Sequence, residues 1–277
     1  MDRQTKLNLE KTAYRVRLGI IHGVHAAKSG HPGGSLSCAD ILTYLYFNWM
    51  NIDPKNPKDP KRDRFVLSKG HAAPALYSTL AERGYFSPDD MFTLRHVGSV
   101  LQGHPDMKHV PGVDMSTGSL GQGVSAAVGM ALSAKHFGDS YRVYAVLGDG
   151  EIEEGQVWEA AMFAANKGLS NLTVFVDLNG LQIDGTIDEV NSARPVDKKF
   201  EAFGWNTLII DGHDFEQIEN ALKAAQNSDK PTAIIANTTK GKGVSYMENA
   251  VNWHGAAPND ELYAQAVKEL ETALAAL

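Results

Sequence analysis

The chain has 277 residues, 43% of them hydrophobic, enough for one large α/β core, although length alone also permits two small domains. Acidic residues outnumber basic ones, 33 to 26, giving a formal charge of −7 with no block of like charge, so neither nucleic acid nor an anionic membrane is an obvious partner. One cysteine, Cys38, excludes an internal disulfide and a cysteine-only metal cage; with a polar start and no apolar run of membrane-spanning length, a cytoplasmic protein is expected.

In chain order, Leu9, Ala13, Val16, Ile20 and Val24 recur at helical spacing and predict a helix over 5–28. Ser29-Gly30-His31-Pro32-Gly33-Gly34 breaks the pattern, and 36–50 resumes it as a second helix. A proline- and lysine-rich loop over 51–63 leads to a short strand at 65–67. From Ser87 to Ser116 turn formers abound and periodicity is weak; so long a loop is functional or disordered, and its three histidines favour function. Further on, strands at 142–147, 172–177, 206–210 and 232–236 alternate with helices near 121–137, 153–167, 196–203 and 214–226. A last helix over 258–275 is read as closing a single domain spanning 1–277, with no linker, repeat or low-complexity stretch. Nearly continuous apolar strands alternating with helices predict an α/β fold, a parallel β-sheet flanked by helices on both faces.

The strand at 142–147 runs into Gly148-Asp149-Gly150, so Asp149 falls at a strand's carboxyl end, where such sheets place ligands. Thirty residues later the next strand delivers Asn179, followed by Gly180 and Leu181, and adjacent strands would set the two ends side by side. A hard cation such as Mg²⁺ takes about six oxygens at about 2.1 Å, commonly one carboxylate, neutral carbonyls, water and phosphate. Asp149, the Asn179 amide oxygen and the Leu181 backbone carbonyl meet that need, and the following helix can turn its amino terminus to phosphates. Either turn alone is more often ordinary; the pair, one helix apart, points to a site. A competing glycine pattern, Gly118, Gly121 and Gly123 before a helix with Asp139 beyond, has the wrong spacing for dinucleotide binding, and no strand leads into it.

Gly148-Asp149-Gly150 through Asn179 resembles the thiamine diphosphate signature, and the surroundings resemble transketolase: Ser29 to Gly34, Ser68-Lys69-Gly70-His71, Gly103-His104-Pro105, Thr117 to Gly123, Gly148 to Gly155 and Trp253-His254-Gly255. These motifs span nearly the whole chain in the family's order. The resemblance implies the thiamine diphosphate-binding fold (a PP-type domain) with thiamine diphosphate and Mg²⁺ as cofactors, Mn²⁺ or Ca²⁺ being able to substitute. It implies that His71 and His254 lie by the diphosphate, and that His31, His104 and His254 face the sugar and act in catalysis. Such groups are needed because a ketose carbonyl becomes an alkoxide on attack and must be stabilised and protonated. Gly118, Leu120, Gly150, Glu154, Asn179 and Ile183 are implied cofactor contacts. For Leu120 and Ile183 the plain alternative is core packing. For Glu151, Glu153 and Glu154 it is the carboxylate preference of a helix's first turn. Glu154 and Glu159 are implied at a subunit interface.

The chain stops near the expected end of the family's first domain, so the pyrimidine-binding domain, with its activating glutamate and sugar-phosphate arginines, is expected on a C-terminal partner subunit. Two copies of each chain, a heterotetramer acting on sugar phosphates, are anticipated. Competing readings are the α subunit of a 2-oxo acid dehydrogenase, a deoxyxylulose-5-phosphate synthase, and a non-catalytic subunit that kept the fold. His22 and His25 share a helix face without a third metal ligand, and His96, His109, His136 and His213 are read as surface or loop.

Overall fold

A computed structural model describes residues Met1–Leu277. Helix α1 (Arg3–Ala27) begins at Asp2, whose carboxylate accepts the Thr5 N–H at 2.9 Å, and buries the stripe its spacing predicts. The second expected helix is broken into α2 (Pro32–Ser37), α3 (Ala39–Tyr44) and a π-helical turn over Leu45–Trp49. Ser35 Oγ donates to the His31 carbonyl at 2.7 Å, a side-chain bond that competes with a regular helix. After β1 (Arg64–Leu67) comes α4 (Ala73–Arg83), which periodicity does not announce because Ala73 to Ala81 are all buried and no polar face alternates with the apolar one.

The long 87–116 segment is largely irregular, with one 3₁₀ turn at Pro88–Thr93. Then follow α5 (Gln122–Phe137), β2 (Val143–Gly148), α6 (Gly155–Asn166) and β3 (Leu172–Leu178). A small hairpin, β4 (Leu181–Gln182) with β5 (Gly185–Thr186), occupies what reads in sequence as plain loop. The chain continues through α7 (Ile187–Val190), α8 (Val196–Ala202), β6 (Asn206–Asp211), α9 (Phe215–Gln226), β7 (Thr232–Asn237) and α10 (Asp260–Ala275). No helix is long and apolar enough to cross a membrane.

The main sheet has five parallel strands in the order β1-β2-β3-β7-β6. Successive residues point to opposite faces, so Tyr144, Phe175 and Ile234 pack with α1, α3, α4 and α9 while Ala145, Val174 and Ile235 pack with α5, α6 and α8. Both faces are covered, which is why these strands read as unbroken apolar runs. Removing a filled position such as Phe175, fully buried, would cost about 3–5 kcal/mol. Parallel strands put all their carboxyl ends at one edge. Gly148 pairs with Asp177, which sets Asp149 beside the end of β3.

Candidate active site

The loops leaving β1, β2, β3 and β7 enclose a cleft of about 310 Å³ at that edge, lined among others by His31, Lys69, His71, Asp149, Asn179, Lys240 and His254. Asp149 is 3% exposed; its carboxylate accepts the Gly150 N–H at 2.9 Å and the Gly180 N–H at 2.6 Å. Burial foremost, then the charge of Asp177, pushes its carboxyl up to about 6. Asn179 accepts the Leu181 N–H at 3.2 Å and donates its amide to Asp177 at 3.3 Å. The Leu181 carbonyl accepts from Lys240 Nζ at 2.8 Å, so it is already turned toward positive charge.

No group of three His, Cys, Asp or Glu side chains in the chain could cage a metal. A cation at Asp149 would rest on one carboxylate and neutral oxygens, a donor set that suits Mg²⁺ and leaves room for phosphate. The residues therefore fit the diphosphate and metal that the sequence suggests.

Beneath them lies a buried polar floor that sequence reasoning missed. Asp177, fully buried, receives the Lys69 ammonium, the Thr238 hydroxyl and, at 2.6 Å, the Ser37 hydroxyl. Burial works to raise the Asp177 carboxyl, but the Lys69 charge prevails and its pKa falls below the ordinary value. Lys69 also donates to the Gly34 carbonyl at 2.8 Å. Glu151, read from sequence as a helix-start preference, is instead 2% exposed and ties three loops. It accepts from Ser68 Oγ at 2.5 Å, the Gly121 N–H at 2.9 Å and the Gly148 N–H at 3.0 Å. A signal existed: a carboxylate inside a largely apolar strand, as Asp177 is, requires a partner. Lys240 follows the last strand in Thr239-Lys240-Gly241, at the same sheet edge, and could have been marked on that ground.

The structure brings His31, His71 and His254 together, with ring centroids 5.2–5.6 Å apart. Burial first, then neighbouring cations, lowers all three: His31 to about 4 beside Arg95, His254 to about 3 beside Lys240, and His71 well below its ordinary value. They are neutral near pH 7 and can both donate and accept hydrogen bonds. His31 Nδ1 is buried with no partner in the chain. His254 Nδ1 accepts from Lys240 Nζ at 2.8 Å. Burial, with Lys69 next, brings the Lys240 ammonium down to about 8.

His104 stands apart from this trio, exposed and against Gly118. A Cβ at Gly118 would lie 3.0 Å from the His104 ring, and its φ of +146° also disfavours a side chain. Leu120 and Ile183 are not core: both line the cleft's mouth, 36% and 61% exposed. Gly150 lies on the cleft wall, whereas Glu154 and Glu159 are exposed outside it. His22 bonds Tyr263 and His25 bonds Asp260, without a metal geometry. His213, read as surface or loop, is bonded at both ring nitrogens.

Residues 9–275 match the family described as transketolase, thiamine diphosphate binding domain. This chain belongs to the transketolase family. It is 45% identical over 269 residues to the 6-deoxy-6-sulfo-D-fructose transketolase subunit SqwG of Clostridium sp. (strain MSTE9), covering 97% of this chain and 98% of that protein. It is 44% identical over 263 residues to an apulose-4-phosphate transketolase subunit from Phocaeicola vulgatus, covering 95% and 93% of the two. Against human transketolase it is 43% identical, covering 97% of this chain but 43% of the human protein. The crystal structure of transketolase from Campylobacter jejuni superposes with a TM-score of 0.91 at 36% identity over 98% of this chain and 43% of that one. This transketolase-family chain thus matches two subunit relatives over nearly their whole length, and the human and Campylobacter jejuni transketolases over less than half of theirs. It is a thiamine diphosphate-dependent transferase of the transketolase type.

Proposed function

We propose that this chain is the diphosphate-binding half of a two-chain transketolase that moves a two-carbon ketol unit from a ketose to an aldose. The observation that carries this reading is the union, in one cleft, of a lone-carboxylate oxygen set with three neutral histidines. Asp149, Asn179 and the Leu181 carbonyl would hold Mg²⁺, while His71, Lys240 and Gly150 would meet the diphosphate. Bound thiamine diphosphate supplies the electron sink for breaking the carbon–carbon bond beside a ketose carbonyl.

The chain's own residues manage binding and protons. His31, His104 and His254 donate to the sugar's hydroxyl and carbonyl oxygens and accept protons in return. The unpartnered Nδ1 of His31 is suited to such a bond. Leu120 and Ile183 offer apolar surface to the cofactor's rings, and the Lys69–Asp177 floor keeps the Asn179 amide fixed.

The partner would carry the pyrimidine-binding domain, in a complex of two copies of each chain operating in the cytoplasm, with the whole of 1–277 serving as one domain. Two relatives named as subunits of enzymes acting on different sugars support placing sugar choice on that partner. Mixing this chain with its partner, thiamine diphosphate and Mg²⁺ should give ketol transfer when assayed against a panel of ketose phosphates. Full transfer by this chain alone would remove the two-chain reading. Pyruvate decarboxylation in place of ketose cleavage would favour the 2-oxo acid dehydrogenase alternative.

A further inference from the structure

Lys240 reaches the cleft from a loop whose backbone is held from behind by a buried network outside the site. Arg17 on α1 and Asp40 on α3 are 4% and 5% exposed. The Asp40 carboxylate accepts from Arg17 Nη1 at 3.0 Å and Nη2 at 2.5 Å, and from His213 Nδ1 at 2.7 Å. Because Nδ1 donates to Asp40, the lone pair of His213 is on Nε2, which accepts the Thr239 N–H at 2.9 Å. The third nitrogen of Arg17, Nε, donates to the Lys242 carbonyl at 3.1 Å. One network therefore grips the amide just before Lys240 and a carbonyl just after it. At the far end of the side chain, Nζ meets the Leu181 carbonyl and His254 Nδ1, both at 2.8 Å.

We infer that His213, oriented by the Arg17–Asp40 pair, is a positioning residue that aims Lys240 into the cofactor cleft and so sets cofactor affinity without touching the cofactor. This rests on the reading of Lys240 as a diphosphate-facing residue. A buried ion pair adds little net stability over apolar packing, so a need for bulk stability does not explain Arg17–Asp40 well, whereas fixing a tautomer and a loop does. Two further bonds, from the Gly241 N–H to the Gly33 carbonyl at 3.0 Å and from the Asn249 N–H to the Lys240 carbonyl at 2.9 Å, keep the loop's outline when His213 is changed. His213 is also partly exposed, so its replacement leaves no sealed cavity.

The test uses this chain combined with its partner chain and measures thiamine diphosphate affinity with Mg²⁺ by calorimetry. His213→Leu should weaken binding about tenfold, while on a Lys240→Met background the same change should cost under about twofold, the signature of two residues acting as one. His213→Gln, which puts an oxygen where Nε2 was, should recover most of the loss. His213→Asn, which keeps the Asp40 contact but falls short of Thr239, should not. Hydrogen exchange of the Thr239 amide in the free chain should quicken in the Leu and Asn variants only. If His213→Leu fails to fold, the Gln and Asn pair decides, and equal affinities in those two overturn the proposal. Losses that add in full on the Lys240→Met background overturn it as well. If Lys240→Met itself leaves affinity unchanged while Asp149→Ala abolishes metal-dependent binding, the positioning proposal fails and the cofactor site stands; if neither variant lowers affinity, both readings fall.

Discussion

The floor of the cleft and its mouth are made in opposite ways. On the floor, Asp177, Lys69 and Glu151 are at most 2% exposed and each carries several hydrogen bonds from this chain. At the mouth, Leu120 and Ile183 turn apolar surface to solvent, 36% and 61% exposed. The floor is complete within one polypeptide and its cost of burial is already met; the mouth presents apolar surface that only an added molecule can cover. Stability should accordingly depend on the floor and assembly on the mouth.

The sharpest way to break that division is Asp177→Ala. It strands the Lys69 ammonium in the interior, and a loss of about 3–5 kcal/mol is expected by denaturant unfolding of this chain. Replacing both partners, Lys69→Met with Asp177→Leu, should restore most of that loss; an equally unstable double variant would show that the pair is not the source. Next comes Asp149→Ala. It should leave melting nearly unchanged yet weaken metal-dependent cofactor binding at least about 100-fold, read by calorimetry on the assembled complex. Unchanged affinity would take Asp149 out of the ligand set.

Between floor and mouth, the histidine trio predicts a smaller, pH-dependent effect. His31 and His254 are lowered by burial, then by Arg95 and Lys240 respectively, to about 4 and about 3 in the folded chain. As pH falls below about 6.5 the unfolded chain takes up protons before the folded one does, so stability drops with falling pH through that window. The melting temperature of the wild type should therefore fall more steeply from about pH 7 to about pH 5 than that of a His31→Asn, His254→Asn double variant. Parallel curves would mean that these imidazoles titrate normally. The smallest effect on folding belongs to the mouth: Leu120→Ala and Ile183→Ala should each change stability by under about 0.5 kcal/mol, while weakening capture of the partner and cofactor severalfold. A large loss of stability would show that these side chains are core after all.

How much of this can be read from the sequence follows from how each part is buried. The parallel sheet is legible because strands covered on both faces leave unbroken apolar runs, and Asp149 and Asn179 are legible because adjacent parallel strands end together. Helix α4 escapes because an element buried all round loses its periodicity, and the β4–β5 hairpin because two residues per strand are too few to show one. The histidines stand out through glycine-flanked loops. Glu151 does not, since a carboxylate at a helix start is ordinary until its partners, brought from Ser68 and Gly121, are seen in space, whereas Asp177 signals through its place in an apolar strand only that some partner exists, not that it is Lys69. His213 lies in the same class: its two bonds reach to Asp40 and Thr239, distances along the chain that no local pattern reports.

The outward-facing Leu120 and Ile183 have a consequence for mass action. A cofactor that rests on these two side chains and is covered by a second polypeptide links two equilibria. Whatever factor the partner adds to cofactor affinity, the cofactor returns to the affinity between the chains. Diluting such an enzyme lowers its activity more than in proportion to protein, and adding cofactor alone restores part of the loss by drawing the two halves back together.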